Sequence, residues 1–414
     1  MAIDFTLTSE QQALRTKARE FARDVLVQVD GLTRHLPTPE ERFYATRPIY
    51  EQMLAAGFLR RLIPMPFGGE GTGLIDMAVV AEEFHAVDVN VSLTMFANLL
   101  GLMPVFLAGT PEQQSKLIAP FLETSGAPLA ALANSEPGGS ANFDAPAPGE
   151  GVRTRARLDG NMWVIDGAKQ WVSAATGWDG HGADLLCIVC RTDADAPPDR
   201  SISILCATGP MDGIALERAA ESMGHRAHLT PRFRIEDMRL PADSVIGPLG
   251  GGRDIIAASF TGTAALVGVM STAVMRAAFD FAFHFARTER RGGVHPIIEH
   301  QAVGYALADA KSEIEAVRAL AWRACWAGDA GMPGATELAL HSKVFGSETA
   351  VRVITNLMRV VGIDSYDAGE APLARLLQDA MAFPLFDGGN MGVRRRQLHA
   401  LFKQPDYDSL ATTS

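Results

Sequence analysis

The stretch Phe386-Asp387-Gly388-Gly389-Asn390-Met391-Gly392-Val393-Arg394-Arg395-Arg396 places a carboxylate beside two glycines and seven residues ahead of the first of three arginines. Glycines let a backbone come close to a ligand. The apolar lead-in Met381-Ala382-Phe383-Pro384-Leu385-Phe386 would take the carboxylate out of water, and desolvation makes an acid's conjugate base stronger. That is how a general base is built. Asp-Gly is also a common turn dipeptide, and arginine runs usually cover solvated helix surface, so the residue types alone leave a plain turn open.

The rest of the chain has to position that carboxylate. With 414 residues, 47% of them hydrophobic, it can bury a large core in two or three domains or layers. A net charge of −11 argues against nucleic acid or an anionic membrane surface as a partner. The longest apolar run, Thr261 to Met275, is closed by Arg276 and interrupted by Thr and Ser. It reads as a buried helix, and no membrane partner is expected. Cys187 and Cys190 form a CxxC inside a strand-like run, where odd spacing points the thiols to opposite faces and no second pair completes a zinc site. All four cysteines read as reduced core residues and no metal is expected. With no export signal at Met1-Ala2-Ile3-Asp4-Phe5, the expected location is cytoplasmic.

Capping signals and helical periods fill residues 1–127. Ser9 with Gln12, and Thr38-Pro39 with Glu41, are capping boxes, Gly57 closes the second helix, and further helices are predicted over about residues 73–87, 90–107 and 110–123. Residues 128–246 change character. A hairpin over 152–158 and 162–165, then runs at 185–190, 202–206 and 233–238, read as an antiparallel sheet, and the lack of βαβ alternation argues against a dinucleotide-binding parallel sheet. Gly247 to Gly252 reads as a linker. Residues 247–414 return to helical periods, over about 254–287, 298–326 and 336–361, with short helices around Asp387 and a loose tail from Gln404. The fold class is α+β in three domains.

This order of helices, antiparallel sheet and helices resembles the acyl-CoA dehydrogenase superfamily, whose C-terminal domain is a four-helix bundle. There a Glu-Gly-Thr segment, with an Arg seven residues after the Glu, carries the base that removes an α-proton. The resemblance makes Asp387 the base and Arg394 its partner, with Gly388 and Gly389 as backbone against a flavin and Gly-Gly-Asn replacing Gly-Thr-x. Leu132-Ala133-Asn134-Ser135-Glu136-Pro137-Gly138-Gly139-Ser140-Ala141-Asn142 resembles the superfamily's Thr-Glu-Pro-x-x-Gly-Ser-Asp flavin loop, ending in Ser-Ala-Asn instead. It implies contacts from Leu132, Asn134, Ser135, Ser140 and Asn142. Gly167-Ala168-Lys169-Gln170-Trp171-Val172-Ser173 resembles Gly-x-Lys-x-Trp-Ile-Thr, which makes Trp171 the residue packed on the flavin and Ser173 the partner of N5.

Arg290-Arg291-Gly292-Gly293-Val294-His295-Pro296-Ile297-Ile298-Glu299-His300-Gln301 resembles the segment that reaches the flavin's pyrophosphate and adenine in a neighbouring subunit. Counting back from Gln301 selects Arg290, with Arg291 as the alternative and His300 as a further contact, while Gly293 stands where the family has Phe. Met358 replaces a Gln before Gly362, leaving backbone near Val360 for the dinucleotide. Taken together the resemblance implies FAD and a homo-oligomer, usually a tetramer, with FAD at a subunit interface.

Within the superfamily, Asp in place of Glu resembles the nitroalkane oxidases, as do Arg42 to Pro48, Trp178-Asp179, Ala264 to Gly268, Ile297 to Gln301 and Pro384 to Arg396. Arg42 by itself reads as solvent-facing helix. Asp shortens the base by roughly 1 Å, a shift that can cost about a hundredfold in rate, so the substrate's acidic carbon must sit differently. A nitroalkane, far more acidic than a thioester, suits that site. The resemblance implies that Asp387 removes the α-proton and Arg394 holds Asp387 ionised and helps bind the nitro group. Thr263 stands for a Ser bonded to the Asp, and Phe383 stands where the family has Tyr. The nitronate would attack flavin N5, nitrite would leave, water would release an aldehyde or ketone, and O2 would reoxidise the flavin to give hydrogen peroxide. The alternatives are an acyl-CoA dehydrogenase with an Asp base, passing electrons to an electron-transferring flavoprotein, and a catalytically silent flavin-binding member of the fold.

Overall fold

The computed structural model describes residues 6–412 apart from 147, 194, 198 and 199; the opening residues 1–5 lie outside it. Eight α-helices come first: α1 (Ser9–Phe21), α2 (Gln28–Thr33), α3 (Pro39–Ala45), α4 (Arg47–Ala55), α5 (Phe58–Leu62), α6 (Leu74–His85), α7 (Asn90–Ala108) and α8 (Pro111–Leu122). Helix α1 is capped one residue earlier than the sequence reading has it. Thr8 accepts from the Gln11 amide and the Gln11 side chain accepts from the Thr8 amide. The sequence carries this box in both registers, Thr8 with Gln11 and Ser9 with Gln12, and the fold uses the first. The Thr38 box of α3 forms as expected, with Pro39 at its first turn.

The sheet follows: β1 (Ala130–Ala133), β2 (Arg155–Asp159), β3 (Met162–Gln170), β4 (Leu185–Arg191), β5 (Ile202–Thr208), β6 (Ile214–Ala219), β7 (Pro231–Pro241) and β8 (Val245–Ile246). Its order is β6-β7-β3-β2-β4-β5-β8, with β1 paired to β4. It is mixed rather than antiparallel throughout, since β1 runs parallel to β4, Leu132 opposite Cys187. The run Ala130-Ala131-Leu132-Ala133 has no alternation and alanine has little strand preference, so the flavin-like loop gives no sign that a fully buried strand leads into it. The four cysteines are free and buried.

Three long helices close the chain: α9 (Gly252–Thr288), α10 (Gln301–Asp329) and α11 (Ala335–Val361), followed by α12 (Leu373–Ala380) and α13 (Arg395–Phe402) on their flank. Helices α9 and α11 cross closely because Gly268 has no side chain: a Cβ there would stand 2.1 Å from the Ser342 hydroxyl. That close approach brings Thr263 of α9 and Lys343 of α11 towards the same segment. Helices α7 and α9 are long and apolar enough to cross a bilayer, but most of each such stretch is buried inside the fold. A charged knot joins the N-terminal helices to the bundle, where Glu82 of α6 accepts from Arg276, Arg318 and the Trp322 indole at 3.1, 3.0 and 2.8 Å. The tail is tied down rather than loose, since Tyr407 donates to Glu337 at 2.8 Å and Arg323 donates to the Thr412 carbonyl.

Candidate active site

Asp387 adopts φ 51°, followed by Gly388 at 87° and Gly389 at 63°, three left-handed residues in a row. The turn and the carboxylate are thus one feature. A left-handed conformation costs a non-glycine residue on the order of 1 kcal/mol, so the surroundings must hold it. Asp387 is 4% exposed at its side chain and Arg394 is fully buried. A carboxylate removed from water needs a paired charge and hydrogen bonds. Arg394 Nη2 donates to Asp387 Oδ2 at 2.7 Å and its Nε to the Asp387 carbonyl at 2.8 Å, while Thr263 Oγ1 donates to Oδ1 at 3.1 Å. Arg394 also donates to the Phe260 carbonyl of α9 and to Gln397.

The triple arginine therefore separates by surroundings. Arg394 ends a π-helical turn, Asn390–Arg394, that rotates it inward, whereas Arg395 pairs with Glu348 and Arg396 donates to the Asn142 side chain at 2.8 Å. Such turns recur at functional sites and leave no mark in the sequence.

Asp387 opens onto a cavity of about 1180 Å³ enclosed by the sheet, α7, α9 and the 381–397 segment. Leu132, Asn134, Ser135, Ser140, Trp171 and Ser173 line it from the sheet side, and Thr263, Asp387, Gly388 and Arg394 from the bundle side. Asn134 is 6% exposed and its Oδ1 has no hydrogen-bond partner among the described residues, as a group waiting for a ligand would. Strand β1 delivers it: Glu136, two residues on, is fastened by the fully buried Lys169 at 2.9 Å and by the Thr154 amide and hydroxyl at 2.9 and 2.6 Å. Burial opposes the Glu136 charge, but Lys169 and these donors still hold its carboxyl below the usual range.

Ser173 is oriented by residues the sequence reading did not select. The Thr94 hydroxyl donates to the Asn90 carbonyl at 3.0 Å, His228 Nδ1 lies 2.9 Å from Thr94, and His228 Nε2 lies 3.0 Å from Ser173 Oγ. Burial pushes His228 down to about 3, so the ring is neutral and has one donor and one acceptor. One ring nitrogen therefore donates and the other accepts, and the Thr94 and Ser173 hydroxyls turn to match, so His228 fixes where the Ser173 oxygen stands on the cavity wall. His225, pushed by burial to about 4, also lines the cavity and packs against Phe383 and Phe386. The His225–His228 segment is anchored by Arg42. That residue is 2% exposed, not solvent-facing: it pairs with Glu221 at 2.6 Å and donates to the Arg226 carbonyl at 2.9 Å. An arginine flanked by Glu40 and Glu41 looks like helix surface, and only the packing of a distant loop buries it.

The remaining predicted contacts lie elsewhere. Asn142 and Gly389 do not face the cavity; Asn142 accepts from Arg396, and Gly389 closes the turn by donating to the Phe386 carbonyl at 3.1 Å. Arg290, Arg291, His300 and Gln301 are exposed, away from the cavity, near the end of α11 that carries Val360. Arg291 is engaged within the chain, at 2.6 Å from Asp364 and 3.0 Å from the Val361 carbonyl, with its guanidinium 4.7 Å from the Phe285 ring centre. Gln301 donates to Tyr305. Missed altogether was Lys343, fully buried behind Asp387. Its one sequence signal is a lysine on the buried stripe of α11 shared with Leu340, Ser347 and Ala350.

A buried, paired carboxylate beside a deep cavity between a mixed sheet and a helical bundle defines a class. Residues 8–125 match the family model for the acyl-CoA dehydrogenase N-terminal domain and residues 250–400 that for the acyl-CoA dehydrogenase C-terminal domain. The chain is 40% identical to nitroalkane oxidase of Podospora anserina over 100% of this chain and 99% of that protein. It is 36% identical to nitroalkane oxidase of Fusarium oxysporum, covering 99% and 97%. An active-site mutant of nitroalkane oxidase crystallised with 1-nitrooctane superposes with a TM-score of 0.95 at 35% identity, over 99% of both chains. The chain belongs to the acyl-CoA dehydrogenase family, in the branch of the nitroalkane oxidases. It is a flavin-dependent oxidase, and its cofactor is FAD.

Proposed function

We propose that this enzyme converts nitroalkane, O2 and water to an aldehyde or ketone, nitrite and hydrogen peroxide, with Asp387 taking the α-proton. The observation that carries the reading is the buried Asp387 carboxylate, held at both oxygens by Arg394 and Thr263 and open to a largely apolar cavity. Such a base is fixed before substrate arrives, which removes reorganisation from the proton-transfer step. As Asp387 gains a proton it loses its charge. The Arg394 cation then stabilises the negative charge left on the substrate's nitro oxygens. Excluding water from the apolar walls strengthens both interactions.

The residues around the cavity fit the cofactor. Asn134, with its unpartnered oxygen, and Ser135, Ser140, Trp171 and Ser173 would hold the flavin ring, and FAD would accept the two electrons of the carbanion and pass them to O2. Arg290 makes no ion pair among the described residues, whereas Arg291 is held by Asp364, which favours Arg290 for the pyrophosphate. Both stand on an exposed end of the bundle, and Val294, Tyr305, Ile363 and Tyr366 are largely exposed there or close in sequence. That surface supports a homo-oligomer in which a second copy supplies or covers part of the FAD site.

Anaerobic mixing of the yellow protein with nitroethane should bleach the flavin and release nitrite. Asp387→Asn should slow bleaching by about 10²–10⁴-fold, the range of general-base catalysis. Bleaching by an acyl-CoA but by no nitroalkane would overturn the reading in favour of a dehydrogenase.

A further inference from the structure

We infer that Lys343 is a positioning residue for proton abstraction: its buried ammonium clamps the two ends of the loop that carries Asp387. The inference rests on Asp387 being the base. Lys343 Nζ donates to the Phe383 carbonyl at 3.0 Å and to Asn390 Oδ1 at 2.7 Å, four residues before the carboxylate and three after it. Asn390 in turn donates to Ser347 Oγ and Glu348 Oε1, both at 3.0 Å, and Glu348 pairs with Arg395. Residues 383 to 395 are thus fastened along one polar edge of α11, formed by Lys343, Ser347 and Glu348, in an otherwise apolar interior.

Between the fastenings run Asp387, Gly388 and Gly389, all left-handed. Backbone of that kind relaxes when released, and relaxation would move the carboxylate away from Thr263 and Arg394. A methionine could fill the space but has no donor for either acceptor. Lys343 is fully buried, and an ammonium is costly to bury unless it is hydrogen-bonded or paired, as the Phe383 and Asn390 acceptors provide here. Burial pushes it down to about 8, with Arg394 and Arg395 acting in the same direction and Asp387 and Glu348 against it, so it is charged at neutral pH.

The test separates proton removal from everything that follows, by comparing neutral nitroethane with its preformed nitronate, which has already lost the α-proton. Lys343→Met and, as the milder cut, Asn390→Ala should lower the flavin reduction rate with nitroethane by about 10–100-fold, the cost of displacing a catalytic group by roughly 1 Å. Reduction by the nitronate should stay near wild type, with an unchanged flavin spectrum. Equal loss on both substrates in the two variants would mean that Lys343 only supports the fold, and no loss on either would equally overturn the clamp. Asp387→Asn, run alongside, keeps the two readings apart. If it discriminates between the substrates and Lys343→Met does not, only the clamp fails; if it does not discriminate, Asp387 is not the base.

Discussion

Two arginine-bearing segments of the same helical region end in opposite surroundings. Arg394 is fully buried and donates to Asp387, Phe260 and Gln397, while Arg290 stands exposed with no ion pair among the described residues. The Asp387 corner is complete within one chain, held by α9, α11 and its own π-helical turn. The 290–301 segment presents Arg290, His300 and Gln301 at an exposed surface. The difference fits the task proposed for each. Proton transfer loses rate with displacements of about an ångström, so its groups must be locked by packing. Binding the far end of a dinucleotide asks only for well-placed donors, which an exposed turn can present to a ligand or to another copy of the chain.

The largest expected effect breaks the buried half. Arg394→Met leaves the Asp387 carboxylate buried without its cation, which should cost about 3–5 kcal/mol of stability by urea unfolding, together with most of the activity. A variant as stable as wild type would mean that water reaches Asp387 and the corner is less closed than its geometry implies.

The exposed half should respond in affinity instead. Arg290→Ala is expected to weaken FAD binding by the worth of a charge-assisted hydrogen bond, about 1.5–3 kcal/mol, read by flavin release on dilution. The reduction rate of FAD-loaded protein should not change. Arg291→Ala removes an intrachain surface pair worth less than about 1 kcal/mol, and a larger loss of FAD there than in Arg290→Ala would reverse the assignment. The smallest effect is sought at Thr263→Ala. Losing one neutral hydrogen bond to Asp387 should lower kcat/KM for a nitroalkane by about 1 kcal/mol, roughly fivefold, with FAD affinity intact.

Much of the architecture was legible because it is periodic. The helices at 74–85, 90–108 and 111–122 and the strands at 185–191 and 202–208 fall close to their predicted spans, since amphipathic period and turn residues act locally. Strand β1 and the inward turn at 390–394 were not legible. The first is four small apolar residues with no alternation, and the second is ordinary helical sequence with one extra residue wound into a turn. The candidate site divides the same way. Ten of the predicted contacts, from Leu132 to Arg394, line one cavity, because they belong to motifs whose order and spacing carry information. His228, Arg42 and Lys343 belong to no such motif.

What the sequence determined alone is the identity of the chemistry: an acid among glycines, a flavin loop, a Trp-x-Ser segment and the helix, sheet, helix order that together mark the class and its cofactor. What tertiary structure decided is which polar groups are buried and against what. Period can say that Lys343 faces inward, but not that its ammonium meets a carbonyl and an amide 40 and 47 residues away. Hydrogen bonds of that range depend on where the 383–390 loop lies against α11, which only the packing of segments distant in sequence decides.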